Sequence, residues 1–432
     1  MDNIEILNFC LRGIKDKGLD KGQCIYSINE KYELNFTKES ISLLRTTKDS
    51  DINLTGIKDN KKSSIKISNL DYKNIENKIG ELVEMCDSSK EDEFNDIAPN
   101  SDNEEFKYGS DSADLHKMYD LILDFIKNIN LKYEQINLIG GTNLTFNKKV
   151  KYIGNTNSVY FKSDTSNYSL ALTYAAKNQE TSSSFNFAQF QFDELPESFI
   201  EYENIDKKFK EAVEQLYCIE LEEKFLGDLI LTPELANEFV VYYNQLFLCD
   251  IPIISKTSML KDKLGKKVAD NKLTVLCESV SDEISNKVFV TSDGMKTYNF
   301  PIIENGILNT FLLTLYGSRK TKLKFVPYTE NIRILNGDKK IDDIMKSTNK
   351  GIILGRFSGG QPASNGDFSG VAKNSYYIEN GEIKYPIKEV MISGNIYEMF
   401  NNIEYISEET LNTGCSITPW IKVNNVTISG KA

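Results

Sequence analysis

GRFSGGQPASNGDFSGVAKNSYYIENGEIKYPIKEVMISGN, residues 355–395, is the stretch on which the reading of the fold turns. Glycine stands at Gly355, Gly359, Gly360, Gly366, Gly370, Gly381 and Gly394, and Asn365, Asp367, Ser369 and Asn395 fall between them. Glycine accepts positive φ and lets a second backbone come close, at an entropic cost. A run this dense signals tight turns or a loop whose backbone a ligand can reach. Asn380-Gly381 is flanked by the apolar runs YYI and EIKYPI, and Asn305-Gly306 by PII and ILNTFLL. Both are type I′ hairpin signals, because that turn needs φ > 0 at its two central residues. A phosphate cradle is excluded: Gly355 and Gly360 have P-loop spacing, but Gln361-Pro362 stands where Lys-Ser/Thr would be needed.

Working outward, the C-terminal half reads as strand and turn with one helix at its head, Thr232 as N-cap and Pro233 at the first helical position. The N-terminal half opens with a helix carrying Ile4, Leu7, Leu11 and Ile14. Alternating runs follow at Cys24–Ile28, Tyr32–Phe36 and Ile65–Ile67, reading as antiparallel strands with one buried face. Helices are expected around Ile75–Cys86, Leu115–Ile129 and Ile205–Leu216, with strands between the last two. Phe185, Phe187, Phe190 and Phe192 read as an aromatic strand whose register slips once, as at a bulge, with core packing favoured over a binding face. Residues 87–112 are acidic, polar and aperiodic, and read as an exposed loop or flexible linker. The fold class is α+β, with an N-terminal α+β domain over 1–220 and a β-rich domain over 221–432.

Composition narrows the function classes. With 51 basic against 63 acidic residues the net charge is −12, which disfavours direct nucleic-acid binding, where Lys and Arg neutralise phosphates. The lysine-rich stretches 256–272 and 319–324 read as solvated surface or subunit contact. Seven scattered cysteines without a CxxC pair indicate reduced thiols, and the first residues lack a signal-peptide core. No apolar run is long enough for a membrane span. A cytoplasmic chain is expected.

The glycine-rich segment resembles the C-terminal signature of the TldD/PmbA peptidase family, the modulators of DNA gyrase, in which a GDxS loop, an ENGE hairpin and an (A/S)GN turn recur in this order. The segments 258–268, Asp293-Gly294, 303–306, 316–320, 415–419 and 426–430 are similar to further family segments. Active TldD-type subunits carry an HExxxH zinc motif at the start of this half. The matching stretch here is Asn237-Glu-Phe-Val-Val-Tyr242: Glu238 is kept, while Asn237 and Tyr242 replace the histidines. The chain's one histidine, His116, lies in the other half, on a helix where a surface position is expected. The family's catalytic cysteine ligand corresponds to Cys415, which reads as inert, as a vestigial ligand position, or as a nucleophile lacking a base.

The resemblance therefore implies a PmbA/TldE-type subunit without a metal of its own, zinc being held by a TldD-type partner. It implies a peptide substrate, and a homodimer is a further expectation. The groove candidates are Gly359, Gly360, Asn365, Gly366, Asp367, Ser369, Gly394 and Asn395, either as a turn cluster or as a loop that pairs with an extended peptide by strand addition. Arg319 is either a clasp for a carboxylate or a surface ion pair. Trp420, the single tryptophan, is a core or interface aromatic. Two alternatives stand: a stand-alone hydrolase using Glu238 or Asp367 with another metal, and a non-enzymatic regulatory protein of the gyrase-modulator type.

Overall fold

The structure, a computed structural model, describes residues 3–101 and 103–430; readings that touch Met1, Asp2, Asp102, Lys431 or Ala432 lie outside it. The chain has an α+β fold built on two sheets. In chain order the first half runs α1 (Asn3–Asp16), β1 (Lys21–Phe36), β2 (Ile41–Lys58), β3 (Lys61–Ile67) and α2 (Tyr72–Ser88). It continues through β4 (Glu104–Tyr108), α3 (Leu115–Lys132), β5 (Ile136–Leu138), β6 (Asn143–Asn155), β7 (Tyr160–Ala176), β8 (Asn186–Phe192) and α4 (Ile205–Glu214). The strands pair in the order β3-β2-β1-β6-β7-β4, with β5 and β8 also on β7; all pairs are antiparallel except β4–β7.

The alternation explains why the early strands are longer than their separate hydrophobic runs. Cys24, Tyr26, Leu34 and Phe36 share one parity, so a single 16-residue strand keeps them all on one buried face. On that face α1 and α2 bury Ile6, Leu7, Cys10, Ile14, Ile75, Ile79 and Leu82 against β1 and β2. Asp71 caps α2, accepting from the backbone N–H of Lys73 and Asn74. Further along, α3 and α4 cover β5 to β8 with Met118, Ile122, Phe125, Ile129 and Phe209.

Two expectations fail here. β8 pairs with β7 without a register shift. Phe190 and Phe192 are buried, whereas Phe185 and Phe187 are 57% and 61% exposed, because the two pairs differ in parity and point to opposite faces. The apparent slip was two faces of one regular strand. The acidic segment is likewise not a free connector: Ile97 and Ala98 are buried and residues 104–108 form β4. Asp92 and Asp96 reach across to the second half, Asp92 to Lys320 (2.5 Å) and Asp96 to Arg319 (2.6 Å).

The second half runs β9 (Lys224–Leu231), α5 (Pro233–Phe247), α6 (Asp250–Ile254), β10 (Val275–Cys277), β11 (Phe300–Glu304), β12 (Ile307–Leu308), α7 (Leu315–Thr321), β13 (Ile332–Ile334) and α8 (Ile341–Lys346). Then come β14 (Lys350–Leu354), β15 (Arg356–Ser358), β16 (Asp367–Lys373), β17 (Ser375–Glu379) and β18 (Glu382–Ile387). The chain closes with β19 (Val390–Asn395), α9 (Ile396–Asn401), β20 (Ile403–Asn412) and β21 (Ser416–Ser429). The strands make one mixed sheet, β12-β11-β10-β13-β21-β9-β14-β17-β18, from which β15, β16, β19 and β20 branch. α5 lies against this sheet and buries Leu235, Phe239, Val240, Tyr243 and Phe247. Both Asn-Gly turns form as expected, with φ of 48° and 76° at Asn305 and Gly306 and of 52° and 77° at Asn380 and Gly381. Among the described residues no helix is long and apolar enough to cross a membrane.

Candidate functional site

Much of the glycine-rich run is spent on an aromatic cluster. Phe357 of β15 and Phe368 of β16 meet edge to face at 5.9 Å, and both contact Phe239 of α5, at 5.5 and 5.4 Å. A Cβ on Gly370 would lie 2.5 Å from the Phe357 ring and 2.7 Å from the Gly359 Cα; one on Gly394 would lie 3.1 Å from the Phe368 ring. These glycines leave room for the rings and let β15 approach β16. Gly366 sits at φ 93°, and a Cβ there would meet Phe247 of α5 at 3.2 Å.

The structure brings Asn365, Gly366, Asp367, Gly394 and Asn395 together. Asp367 accepts from Asn365 Nδ2 (2.7 Å) and Asn395 Nδ2 (2.9 Å), and its backbone N–H donates to Asn365 Oδ1 (3.1 Å). Asn395 Oδ1 in turn caps α9, accepting from the N–H of Tyr397 (3.0 Å) and Glu398 (3.3 Å). The bonds from Asn395 and then Asn365 hold the Asp367 carboxyl below the usual aspartate range. Ser369 is exposed on β16 opposite Ser393, and Gly360, at φ 88°, faces open space. The backbone between Ala363 and Asp367 closes on itself, the Ala363 N–H reaching Asp367 O (2.8 Å) and the Gly366 N–H reaching Ala363 O (2.7 Å). β15, by contrast, pairs among the described residues only with β16.

On α5 the degenerate motif has its own bonding. Tyr242 OH donates to Glu238 Oε1 at 2.6 Å, an i,i+4 pair on the less buried side of the helix. Burial, then this carboxylate, pushes the Tyr242 hydroxyl up to about 12. Asn237 Oδ1 is buried without a partner. These positions offer one carboxylate, already bonded to a phenol, and no imidazole, which does not suit a hydrolytic zinc with its nitrogen-rich ligand sets. Cys415 is half-buried, and burial raises its thiol to about 11, the wrong direction for a thiolate ligand or nucleophile. Among the described residues no three His, Cys, Asp or Glu side chains gather as a metal site. His116 is exposed on α3. Arg319 is held by Asp96, which also binds Lys21 at 2.8 Å, so its guanidinium joins the two halves.

One feature carried no sequence signal. A cavity of about 610 Å³ lies between α4 and the second sheet, lined by side chains from α4, the start of α5, β14, β17 and α8, and by Arg356 and Trp420. Glu238 lines it too, so the α5 motif and the cavity share a wall. Tyr376 OH donates to Glu214 Oε2 (2.8 Å), Lys208 pairs with Glu234 (2.5 Å), and Lys207 lies 5.5 Å from the Trp420 ring centre. Thr232 is the N-cap of α5 by position, yet its hydroxyl makes no capping bond.

A mixed sheet underlaid by α5, beside a helix-covered antiparallel sheet, defines a fold shared with solved structures. TldE from Thermococcus kodakarensis superposes with TM-score 0.81 at 18% identity over 98% of this chain and 100% of that one. A Bacteroides thetaiotaomicron protein provisionally assigned as a modulator of DNA gyrase gives 0.88 at 17% identity over 100% and 99%. Residues 226–430 match the PmbA/TldA metallopeptidase C-terminal domain. Metalloprotease PmbA of Escherichia coli O157:H7 is 30% identical over 181 residues, 40% of each chain, so that alignment spans two fifths of the relative's length. The Metalloprotease PmbA homolog of Haemophilus influenzae is 22% identical over 413 residues, 91% of this chain and 88% of its own. The second half of the chain thus carries the C-terminal domain of the PmbA/TldD family, and relatives of that name align with it.

Proposed function

We infer that this chain is the PmbA/TldE-type, non-catalytic subunit of a cytosolic TldD/TldE-like metalloprotease complex that processes or degrades small or unfolded peptides. The observation carrying this reading is the chemistry of α5, where the family's metal-binding stretch holds a Glu238–Tyr242 hydrogen bond in place of imidazole ligands. Zinc and its activated water come from a TldD-type partner. Residues 1–220 and 221–432 act as the two domains. The loop at Gly359, Gly360 and Ser369 guides an extended substrate, supported by β15, which among the described residues has no strand on its far side to compete with strand addition. Asn365, Asp367 and Asn395 set the shape of that loop, and Arg319 fixes the halves that flank it. The exposed lysines of 256–267 offer a subunit contact, to a TldD-type partner or to a second copy of this chain.

The test is a peptidase assay on this chain alone, on a TldD-type subunit alone and on the two mixed. Activity should appear or rise only on mixing. Stoichiometric transition metal with peptidase activity in this chain alone would overturn the reading.

A further inference from the structure

We propose that the cavity between α4 and the second sheet binds the amino-terminal end of a short peptide, with its ammonium on Glu211 and Glu214. This rests on the peptide-handling role above and names a site for it. The argument is an imbalance of hydrogen-bonding capacity in the wall. Asn204 Oδ1 and Asn374 Oδ1 are buried acceptors without a partner, and the Thr232 hydroxyl is equally unspent. The two amides are fixed in orientation, because Asn204 Nδ2 donates to Glu234 Oε1 (3.4 Å) and Asn374 Nδ2 to Asn186 Oδ1 (2.7 Å). An unsatisfied buried acceptor costs about 1–3 kcal/mol, so the wall favours a ligand that brings N–H donors.

The charged groups point the same way. Glu214 accepts from the neutral Tyr376 hydroxyl and forms no ion pair among the described residues. Glu211, one turn earlier on α4, has its one recorded ion pair among the described residues with Lys207, at a loose 3.9 Å. The carboxyl of Glu211 is raised by its enclosure, despite Lys207 and Lys208, so its charge is under-compensated. The cations beside it are better occupied: Lys208 is paired with Glu234, and Arg356 donates to the Phe185 carbonyl and lies over the Phe187 ring at 5.6 Å. Lys210 is exposed. A ligand with an ammonium and following amide N–H groups satisfies this wall; an anion does not. Trp420 and Tyr376 give its side chains apolar surface, and about 610 Å³ is within the usual range for small-ligand sites.

Trp420 is the only tryptophan of the chain and lines the cavity, so its fluorescence reports occupancy directly. The chain alone is titrated with a leucine–alanine pentapeptide bearing a free amino terminus and with its N-acetylated twin. The free peptide should give a saturable change, and the acetylated one should bind at least about tenfold more weakly, a difference of about 1.4 kcal/mol. Glu211→Gln combined with Glu214→Gln should abolish that preference; Glu211 is 41% exposed at its side chain, and circular dichroism verifies the fold. Equal affinity for the twins, no saturable response, or full retention of the preference in the double variant overturns the proposal. No partner is needed for the titration. A chain that activates a TldD-type subunit but leaves Trp420 silent refutes the site and spares the subunit reading.

Discussion

The glycine-rich loop and the α4 cavity both border α5 and share Phe357, yet they are opposite kinds of site. At the loop nearly every unusual residue has an internal partner: the glycines clear space for Phe357 and Phe368, and Asn365, Asp367 and Asn395 satisfy one another. At the cavity ordinary residues are left with unspent bonding capacity, at Asn204, Thr232 and Asn374. The difference teaches that a dense motif marks a packing constraint, whereas binding capacity is read from polar atoms that the fold leaves unsatisfied.

The comparison breaks if stability and binding do not separate along this line. The largest effect is expected at Phe239→Ala, which empties the fully buried ring joining α5 to both loop phenylalanines; thermal or urea unfolding should show a loss of about 3–5 kcal/mol. Gly370→Ala forces a Cβ into the Phe357 ring and should cost about 2–3 kcal/mol in the same measurement. Gly360→Ala meets no atom within 4 Å and should cost only its left-handed strain, about 1 kcal/mol. A comparable loss at both glycines would mean that the run is not explained by the aromatic cluster.

Smaller effects sharpen the picture. The hydrogen bond from Lys320 depresses the Asp92 carboxyl to about 2, with the Phe94 N–H and Tyr316 OH assisting against partial burial. Its unfolded value is about 3.9, so its contribution is full above about pH 4 and is lost as pH falls towards 2. Asp92→Asn should flatten that part of a stability-versus-pH curve. Asn395→Ala removes the α9 cap and should cost about 1 kcal/mol on unfolding. Glu211→Gln should leave unfolding stability within about 0.5 kcal/mol while weakening the Trp420 response.

How far the sequence could be read followed the range of the interactions involved. Local signals held: the helical spacing of Ile75, Ile79 and Leu82, the parity of Cys24 through Phe36, and both Asn-Gly turns all depend on neighbours within a few residues. The Asp367–Asn395 bond was not readable from the motifs, because its partners meet only when β16 and β19 pair. Phe185 and Phe187 misled because hydrophobicity alone does not tell which face of a strand is covered. The acidic run misled because Asp92 and Asp96 find Lys320 and Arg319 more than 220 residues away. No periodicity announces such pairs. The cavity was invisible for the same reason, its wall being assembled from segments between Tyr174 and Trp420.

The acidic run also bears on how the protein can be engineered. To a reader of the sequence, 90–101 looks like the natural place to insert a tag or cut the chain in two. In space it is a latch, with Asp92 and Asp96 closed on consecutive basic residues of α7 and Ala98 sealed beneath. Splitting the polypeptide there would sever a fastening between its halves and would also free the β2–β3 turn, whose Asn60 carbonyl accepts from the Asp92 N–H (3.1 Å) and from Asn95 Nδ2 (2.8 Å).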